Sequence, residues 1–265
     1  MTAADAEADR RLIRTAVIAA GRLAIEHFRA RRGHWYKGPG QVVTETDFAV
    51  DRLLHERLCG ARPDYGWLSE ERPDDGSRLR RRRVWMVDPI DGTRAFAEGV
   101  PEFAISVALI EDGEPQIGVV FNPATGEYFE AMRGAGASVD GAPMRASDRT
   151  ELAGARLLSS RTEIRRRNWR ALFPEAEITT MGSLAYKLAV LAAGRSDGLV
   201  SLRRSHDWDL AAAVLLITEA GGYITDAKAK PLALNRHDLR HAGLIAAGTP
   251  ELHAALQARL ATLTN

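Results

Sequence analysis

Only one cysteine, Cys59, occurs in the 265 residues. An internal disulfide is therefore excluded, and the chain suits a reducing compartment. Charge of one sign is lacking too: 36 basic side chains stand against 35 acidic ones, for a net +1. That balance offers no bulk attraction to a nucleic-acid polymer or a membrane surface, and neither is an expected partner. No apolar run approaches the roughly 18 residues of a membrane span. The opening MTAADAEADRR has no apolar signal core, so a cytoplasmic location is expected. Glycine-rich dinucleotide and nucleoside-triphosphate loops are missing, which argues against a nicotinamide enzyme or a kinase. No Cys/His cluster has zinc spacing, and His206 reads as structural or substrate-side rather than as a ligand. Cys59 lies in an apolar helical pattern and reads as a small buried residue, not a nucleophile.

What remains is the composition of an ordinary globular protein, 45% hydrophobic and 27% charged, long enough for one large domain or two joined halves. Leu12, Ile13, Val17, Ile18, Leu23 and Phe28 recur at helical spacing and predict a helix over 5–30. Glycines at 33, 38 and 40 predict a loop holding His34, Trp35, Tyr36 and Lys37. A second helix follows, capped by Thr44 or Thr46, with Asp47 in its first turn and Pro63 closing it. A short strand from Tyr65 ends in Glu70, expected to face inward, and Glu71, expected to be solvated. Val84–Val87 predicts a buried strand ending at Asp88-Pro89-Ile90-Asp91-Gly92. Short strands at Phe103–Ile110, Ile117–Phe121 and Glu127–Ala131, joined by tight turns, predict an antiparallel meander. Residues 1–147 thus form helices on a largely antiparallel sheet, and 148–265 alternate strands and helices as a second α/β unit, with one helix expected over 163–172 and a closing one over 250–261. The arginine runs at 78–83 and 161–170 read as solvated faces.

Chemistry concentrates in acids at element ends: Asp47, Glu70, Asp88, Asp91 and Asp209, the last opening the apolar helix Trp208–Ala220. Carboxylates gathered in one crevice need a compensating cation, and oxygen-only ligands suit Mg²⁺. Their number exceeds the needs of one ion, which points to two or more ions and a bound phosphate. Backbone N–H groups near Gly92 and Thr93 would receive phosphate oxygens. The reaction expected is metal-assisted phosphomonoester hydrolysis, with no Cys or Ser nucleophile.

The segments Trp85-Met86-Val87-Asp88-Pro89-Ile90-Asp91-Gly92-Thr93, Trp208-Asp209-Leu210-Ala211-Ala212 and Glu219-Ala220-Gly221-Gly222 resemble the two signatures of the inositol monophosphatase family. The resemblance covers nearly the whole chain. It implies a layered α/β/α/β/α sandwich, dependence on two or three Mg²⁺ ions and frequent lithium sensitivity. By resemblance, Glu70, Asp88, Asp91, Asp209 and the Ile90 carbonyl hold metal, and Asp47 serves a more weakly held ion. Glu70 and Thr93 would orient and activate the attacking water, while Gly182 and Ser183 would contact substrate. Two departures bear on the substrate, a small phosphorylated metabolite. Thr93-Arg94-Ala95-Phe96 replaces the Thr-Asn-Phe usual after Asp-Gly in inositol enzymes, and Leu202 stands where those enzymes carry a hydroxyl-binding glutamate. Arg203 and Arg204 would instead meet a second phosphate. The chain therefore looks closest to the bacterial 3'(2'),5'-bisphosphate nucleotidases, acting on adenosine 3',5'-bisphosphate. Inositol-1-monophosphatase and histidinol-phosphatase are the alternatives within the class. A non-catalytic phosphate-ligand or structural protein is the alternative outside it. Family members often dimerise, so a homodimer is an expectation.

Overall fold

Val84 and Met86 pack into one core while Trp85 and Val87 pack into another, so their strand is buried on both faces. The next strand repeats the division, with Ala104, Ala108 and Ile110 on one side and Ile105, Val107 and Leu109 on the other. A sheet covered on both faces is the reason these segments read as near-continuous apolar runs rather than as alternating ones.

The computed structural model describes residues 2–30, 33–38, 41–166 and 168–262. The first half runs α1 (Ala3–Arg29), β1 (His34–Gly38), β2 (Gln41–Thr44), α2 (Glu45–Ala61) and β3 (Gly66–Ser69). A 3₁₀ turn (Ser77–Arg80), β4 (Arg83–Asp91), α3 (Thr93–Ala97), β5 (Ala104–Glu111), β6 (Glu114–Asn122), β7 (Glu127–Met132), β8 (Gly136–Val139) and β9 (Ala142–Pro143) follow. The second half runs β10 (Arg156–Ser159), α4 (Arg161–Arg166), α5 (Trp169–Leu172), β11 (Glu177–Thr180), α6 (Leu184–Ala192) and β12 (Gly198–His206). It closes with α7 (Asp207–Glu219), β13 (Tyr223–Asp226), β14 (Arg240–Ala247) and α8 (Pro250–Ala261).

β3 to β9 form a 7-stranded sheet in sequence order; β3 and β4 are parallel and the remaining neighbours antiparallel. A 5-stranded sheet has the order β11-β10-β12-β14-β13. α1 and α2 cover the outer face of the first sheet. α6 and α7 fill the space between the sheets, touching Val84 and Met86 on one and Leu199, Leu244 and Ala246 on the other. Trp169, Phe173 and α8 cover the far face of the second sheet. This is the expected layered α/β/α/β/α sandwich.

Close approach in the middle layer depends on small residues. A side chain at Gly118 in β6 would meet the Ala212 carbonyl oxygen of α7 at 2.7 Å. Ala211, Ala212 and Ala213 are all buried at that contact, so helix and sheet backbones come closer than larger side chains would permit.

Three local expectations change. Residues 34–38 and 41–44 form an antiparallel hairpin, not a loop, and Trp35 stacks on Phe48 of α2 with ring centroids 6.1 Å apart. Pro39 and Gly40 of the expected loop lie outside the described residues, as does the side chain of Lys37. β4 does not stop before the acids: it continues to Asp91 with a register shift between Asp88 and Asp91. The single helix expected over 163–172 is two short ones, α4 and α5.

Candidate active site

The β4 irregularity is the start of the site. Asp88 pairs with Ser106 and Asp91 with Ala104, so β4 carries one residue more than β5 across this interval. A bulge of this kind re-aims side chains at a sheet's rim, and here Pro89 removes a backbone donor inside it. Gly92 then turns the chain at φ 94 into α3, and a side chain on it would meet the Glu102 carbonyl oxygen at 2.8 Å.

From the other half, α7 brings Asp209 to the same place. His206 caps that helix, and its backbone N–H donates to Asp209 Oδ2 at 2.6 Å. Asp88, Asp91 and Asp209 each offer an oxygen within 4.8 Å of the others. Burial pushes the Asp88 carboxyl well above 3.8, helped by the charges of Glu70, Asp91 and Asp209. Burial raises Asp209 to about 7, with the charge of Asp91 next in effect. Asp91 is raised by burial as well, although bonds from Ser183 and the Ala185 N–H, both at 2.5 Å, and the charge of Lys187 oppose the shift. Three acids that resist ionising together, with only oxygen donors, fit a hard divalent cation.

Asp47 and Glu70 stand outside that tight group of three. Asp47 is N3 of α2: its Oδ2 accepts from the Thr44 N–H at 2.8 Å and the Thr44 hydroxyl at 2.5 Å, a capping box. Its other oxygen, Oδ1, lies 3.1 Å from Thr93 Oγ1, which is also 3.0 Å from the Ile90 carbonyl oxygen. One hydroxyl proton serves one of these acceptors at a time. Burial raises Asp47 to about 6, with Glu71 adding to the rise and Thr44 opposing it. Glu70 follows β3, its N–H donating to the Val87 carbonyl at 3.3 Å. The expected contrast between inward Glu70 and solvated Glu71 fails: Glu70 is the exposed one and Glu71 half-buried. Each bears on the acids, Glu70 on Asp88 and Glu71 on Asp47.

Ser183 sits against Asp91, and Gly182 before it sits against Glu102. Ser183, at φ 53, caps α6 by accepting from the Tyr186 N–H at 3.0 Å while its hydroxyl donates to Asp91. The Gly182 N–H donates to Glu102 Oε2 at 2.7 Å. Arg203 and Arg204 are exposed on β12 and line a cavity of about 300 Å³ with Glu163, Arg166 and Leu202. Arg203 is near enough to lower the pKa of both Asp209 and Lys187. Arg94 is exposed on α3.

Several residues of the site escaped sequence reasoning. Asp51, one turn after Asp47 on α2, accepts from the Ser69 hydroxyl and the Arg72 guanidinium, each at 2.5 Å, and so brackets Glu70 and Glu71. Its position four residues after Asp47 was the available signal. Lys187 is buried, donates to the Ser183 carbonyl at 2.7 Å, and is brought down to about 8 by that burial. Glu163 is buried on α4, and its Oε1 accepts from the Leu202 N–H at 2.7 Å. Thus a carboxylate does reach Leu202, from a different element. Cys59 is half-buried and its thiol is pushed up to about 11 by burial, unsuited to nucleophilic work.

A sequence model of the inositol monophosphatase family matches residues 5–264. An inositol-1-monophosphatase of Rhizobium meliloti is 40% identical over 231 residues, covering 83% of each chain. A fructose-1,6-bisphosphatase/inositol-1-monophosphatase of Thermotoga maritima is 35% identical, over 71% of this chain and 73% of its own. The crystal structure of the extragenic suppressor protein suhB from Bartonella henselae superposes with a TM-score of 0.85 at 30% identity, covering 96% and 98% of the two chains. Among the described residues no helix is long and apolar enough to cross a membrane.

Proposed function

Because the chain belongs to the inositol monophosphatase family, a family of metal-dependent phosphoric monoester hydrolases, we propose that its substrate is a polyol monophosphate, with inositol 1-phosphate as the type compound. The observation that carries this reading is the Glu163 carboxylate beside the Leu202 backbone. The absence of an acid at position 202 had pointed away from polyols. Glu163, which lines the same cavity as Leu202 and also accepts from the Ser160 hydroxyl, supplies a carboxylate there from another element and supports the polyol reading. A carboxylate accepts hydrogen bonds from neighbouring ring hydroxyls, and polar discrimination of this kind separates substrates strongly. The relatives named as inositol-1-monophosphatases support the same choice over a bisphosphate nucleotidase.

In this reading Asp88, Asp91, Asp209, Glu70 and the Ile90 carbonyl hold Mg²⁺, with Asp47 serving a further ion. Two or three ions are proposed, since one Mg²⁺ is ordinarily held by one or two carboxylates. When bound, Mg²⁺ would supply charge to the ester phosphate, acidify water and neutralise the leaving alkoxide. Thr93 and Asp47 handle the proton. With its own hydrogen donated to Asp47 Oδ1, Thr93 Oγ1 keeps a lone pair for the proton of the attacking water. Asp47, at about 6, is a stronger base than an ordinary carboxylate yet still ionised near neutrality. Ser183 and the Ala185 N–H hold Asp91 in place, and Lys187 ties down the turn that carries Ser183.

A bisphosphate substrate is the second reading, favoured by Arg166, Arg203 and Arg204 around the same cavity. The deciding experiment compares kcat/KM for inositol 1-phosphate, adenosine 3',5'-bisphosphate and histidinol phosphate in saturating Mg²⁺. Inositol 1-phosphate should lead, and Glu163→Gln should raise its KM while leaving KM for the bisphosphate unchanged. A tenfold preference for adenosine 3',5'-bisphosphate would instead establish the nucleotidase reading. No turnover on any of the three would revive a non-catalytic role. The homodimer is likewise proposed, and light scattering at twice the 29.0 kDa chain mass would support it.

A further inference from the structure

Arg78 begins the run of five arginines at 78–83, which reads in sequence as a solvated face. It is instead among the largest fully buried side chains, at 1% exposure. Burying a guanidinium is costly unless its donors are satisfied, and every partner of Arg78 lies on a segment leading to the site. Its Nε and Nη2 donate to Asp74, in the loop that follows Glu70 and Glu71, with the Nη2 bond at 2.9 Å. That loop is already shaped by two turns, Asp74 accepting from the Gly76 N–H and Asp75 from the Ser77 N–H. The other donors cross to the second half of the chain. Nη1 reaches Asn235 Oδ1 at 2.5 Å, and Nη2 reaches the Arg236 carbonyl at 2.8 Å.

Asn235 continues the connection. Its backbone is left-handed at φ 56, and its N–H donates to Asp207 Oδ2 at 2.6 Å. Asp207 is fully buried, and its other oxygen lies 2.7 Å from His241 Nε2 on β14. Asp207 is also the first residue of α7, whose third residue is Asp209. A continuous set of hydrogen bonds therefore runs from the Glu70 loop through Arg78, Asn235 and Asp207 to the N-terminus that presents Asp209. Tight packing holds its near end: a side chain at Gly66 in β3 would meet the Arg78 Cα at 3.0 Å.

We propose that Arg78 is a positioning residue for the metal site, fixing the separation between the Glu70 loop of one half and Asp209 of the other. The proposal rests on the reading of Asp88, Asp91 and Asp209 as the cation site. Acids from two halves bind one set of ions well only if the halves are held at the spacing the ions require. Arg78 makes that spacing a property of the protein before any ion arrives. Groups that orient ligands in this indirect way typically change metal affinity 10–100-fold when removed.

The test is isothermal titration of the metal-stripped full chain with Mn²⁺, compared across wild type, Arg78→Met and Asn235→Gly. Asn235→Gly keeps the left-handed backbone and the N–H to Asp207 but deletes the Arg78 acceptor. Both variants should weaken Mn²⁺ binding about tenfold or more. Mg²⁺ titrations of activity should shift in parallel, with kcat at saturating Mg²⁺ and KM for substrate within about threefold of wild type. The double variant should lose little more than Arg78→Met alone. A folded variant with wild-type Mn²⁺ affinity would overturn the proposal, as would loss of kcat with affinity intact. Should Arg78→Met fail to fold, Asn235→Gly decides alone. Wild-type protein that binds no Mn²⁺ would be a failure of the cation-site reading itself, and is distinguished by that control.

Discussion

At the scale of single residues, buried acids are costly without a compensating charge, and that cost gives a signed prediction. Burial holds Asp209 at about 7 and Asp47 at about 6, against 3.8 for a free aspartate. A carboxyl raised on folding binds more protons in the folded than in the unfolded chain between those limits. Stability therefore falls as pH rises from about 4 to about 7 in the absence of metal. A cation reverses the effect, because it takes the carboxylates ionised. The gain in Tm on replacing EDTA with Mg²⁺ should be larger near pH 8 than near pH 5.5. Burial pulls His253 down and opposes this trend in the raw curves, so the difference between the two conditions is the quantity to read. A Mg²⁺ gain that shrinks toward high pH would exclude these acids as ligands. Asp91→Asn should then abolish turnover, by at least about 100-fold, with the circular dichroism spectrum kept. Asparagine retains an oxygen for Ser183 but supplies no charge. Near-normal turnover in that variant would remove Asp91 from the mechanism.

At the scale of elements, the sequence was most readable where local pattern and burial agree. β5, β6, α7 and α8 fall close to their expected ranges because apolar spacing, turn residues and caps point the same way. The acids at 88, 91 and 209 were legible for a related reason: charged residues interrupt runs that are otherwise buried. Legibility failed where a side chain's environment comes from distant sequence. Arg78 looked like the other four arginines of its run because two of its acceptors lie 157 and 158 residues away. Glu163 sat in an arginine-rich stretch, and nothing local announced that β12 would pass beside it. The hairpin of β1 and β2 was hidden by its glycines, which signal loop more loudly than a short strand pair signals itself. The cap of α2 provides a test at this scale. Thr44→Ala removes both bonds that hold the capping box at its side-chain end. It should cost about 1 kcal/mol in urea denaturation. It should also slow turnover, because Asp47 Oδ2 keeps only the Thr44 N–H of the two bonds that fix its orientation toward Thr93. Lost stability with turnover untouched would separate the cap from catalysis.

At the scale of the whole molecule, the two halves share a core between the sheets in addition to the clusters each holds on its own. Leu68, Val84 and Met86 from the first sheet and Leu199, Leu244 and Ala246 from the second share one apolar cluster through α6 and α7. The acids divide between the halves too, Asp88 and Asp91 coming from β4 of the first sheet and Asp209 from α7 of the layer itself. Shared burial makes separate melting of either half expose the apolar face of the remainder, so a single cooperative transition is expected. The most sensitive place to perturb this coupling is Gly118, where β6 meets α7 with no room for a side chain. Gly118→Ala must force strand and helix apart, at a cost of about 1–3 kcal/mol for overpacking. Because α7 also carries Asp209, the same displacement should weaken Mg²⁺ binding even though residue 118 is far from the acids in sequence. Hydrogen exchange across a urea series would report both halves at once, through segments 84–87 and 169–173. The two should lose protection at one midpoint in wild type and at one lower midpoint in Gly118→Ala. Two separated midpoints would mean that the sheets unfold independently and that α7 does not transmit strain to the metal site.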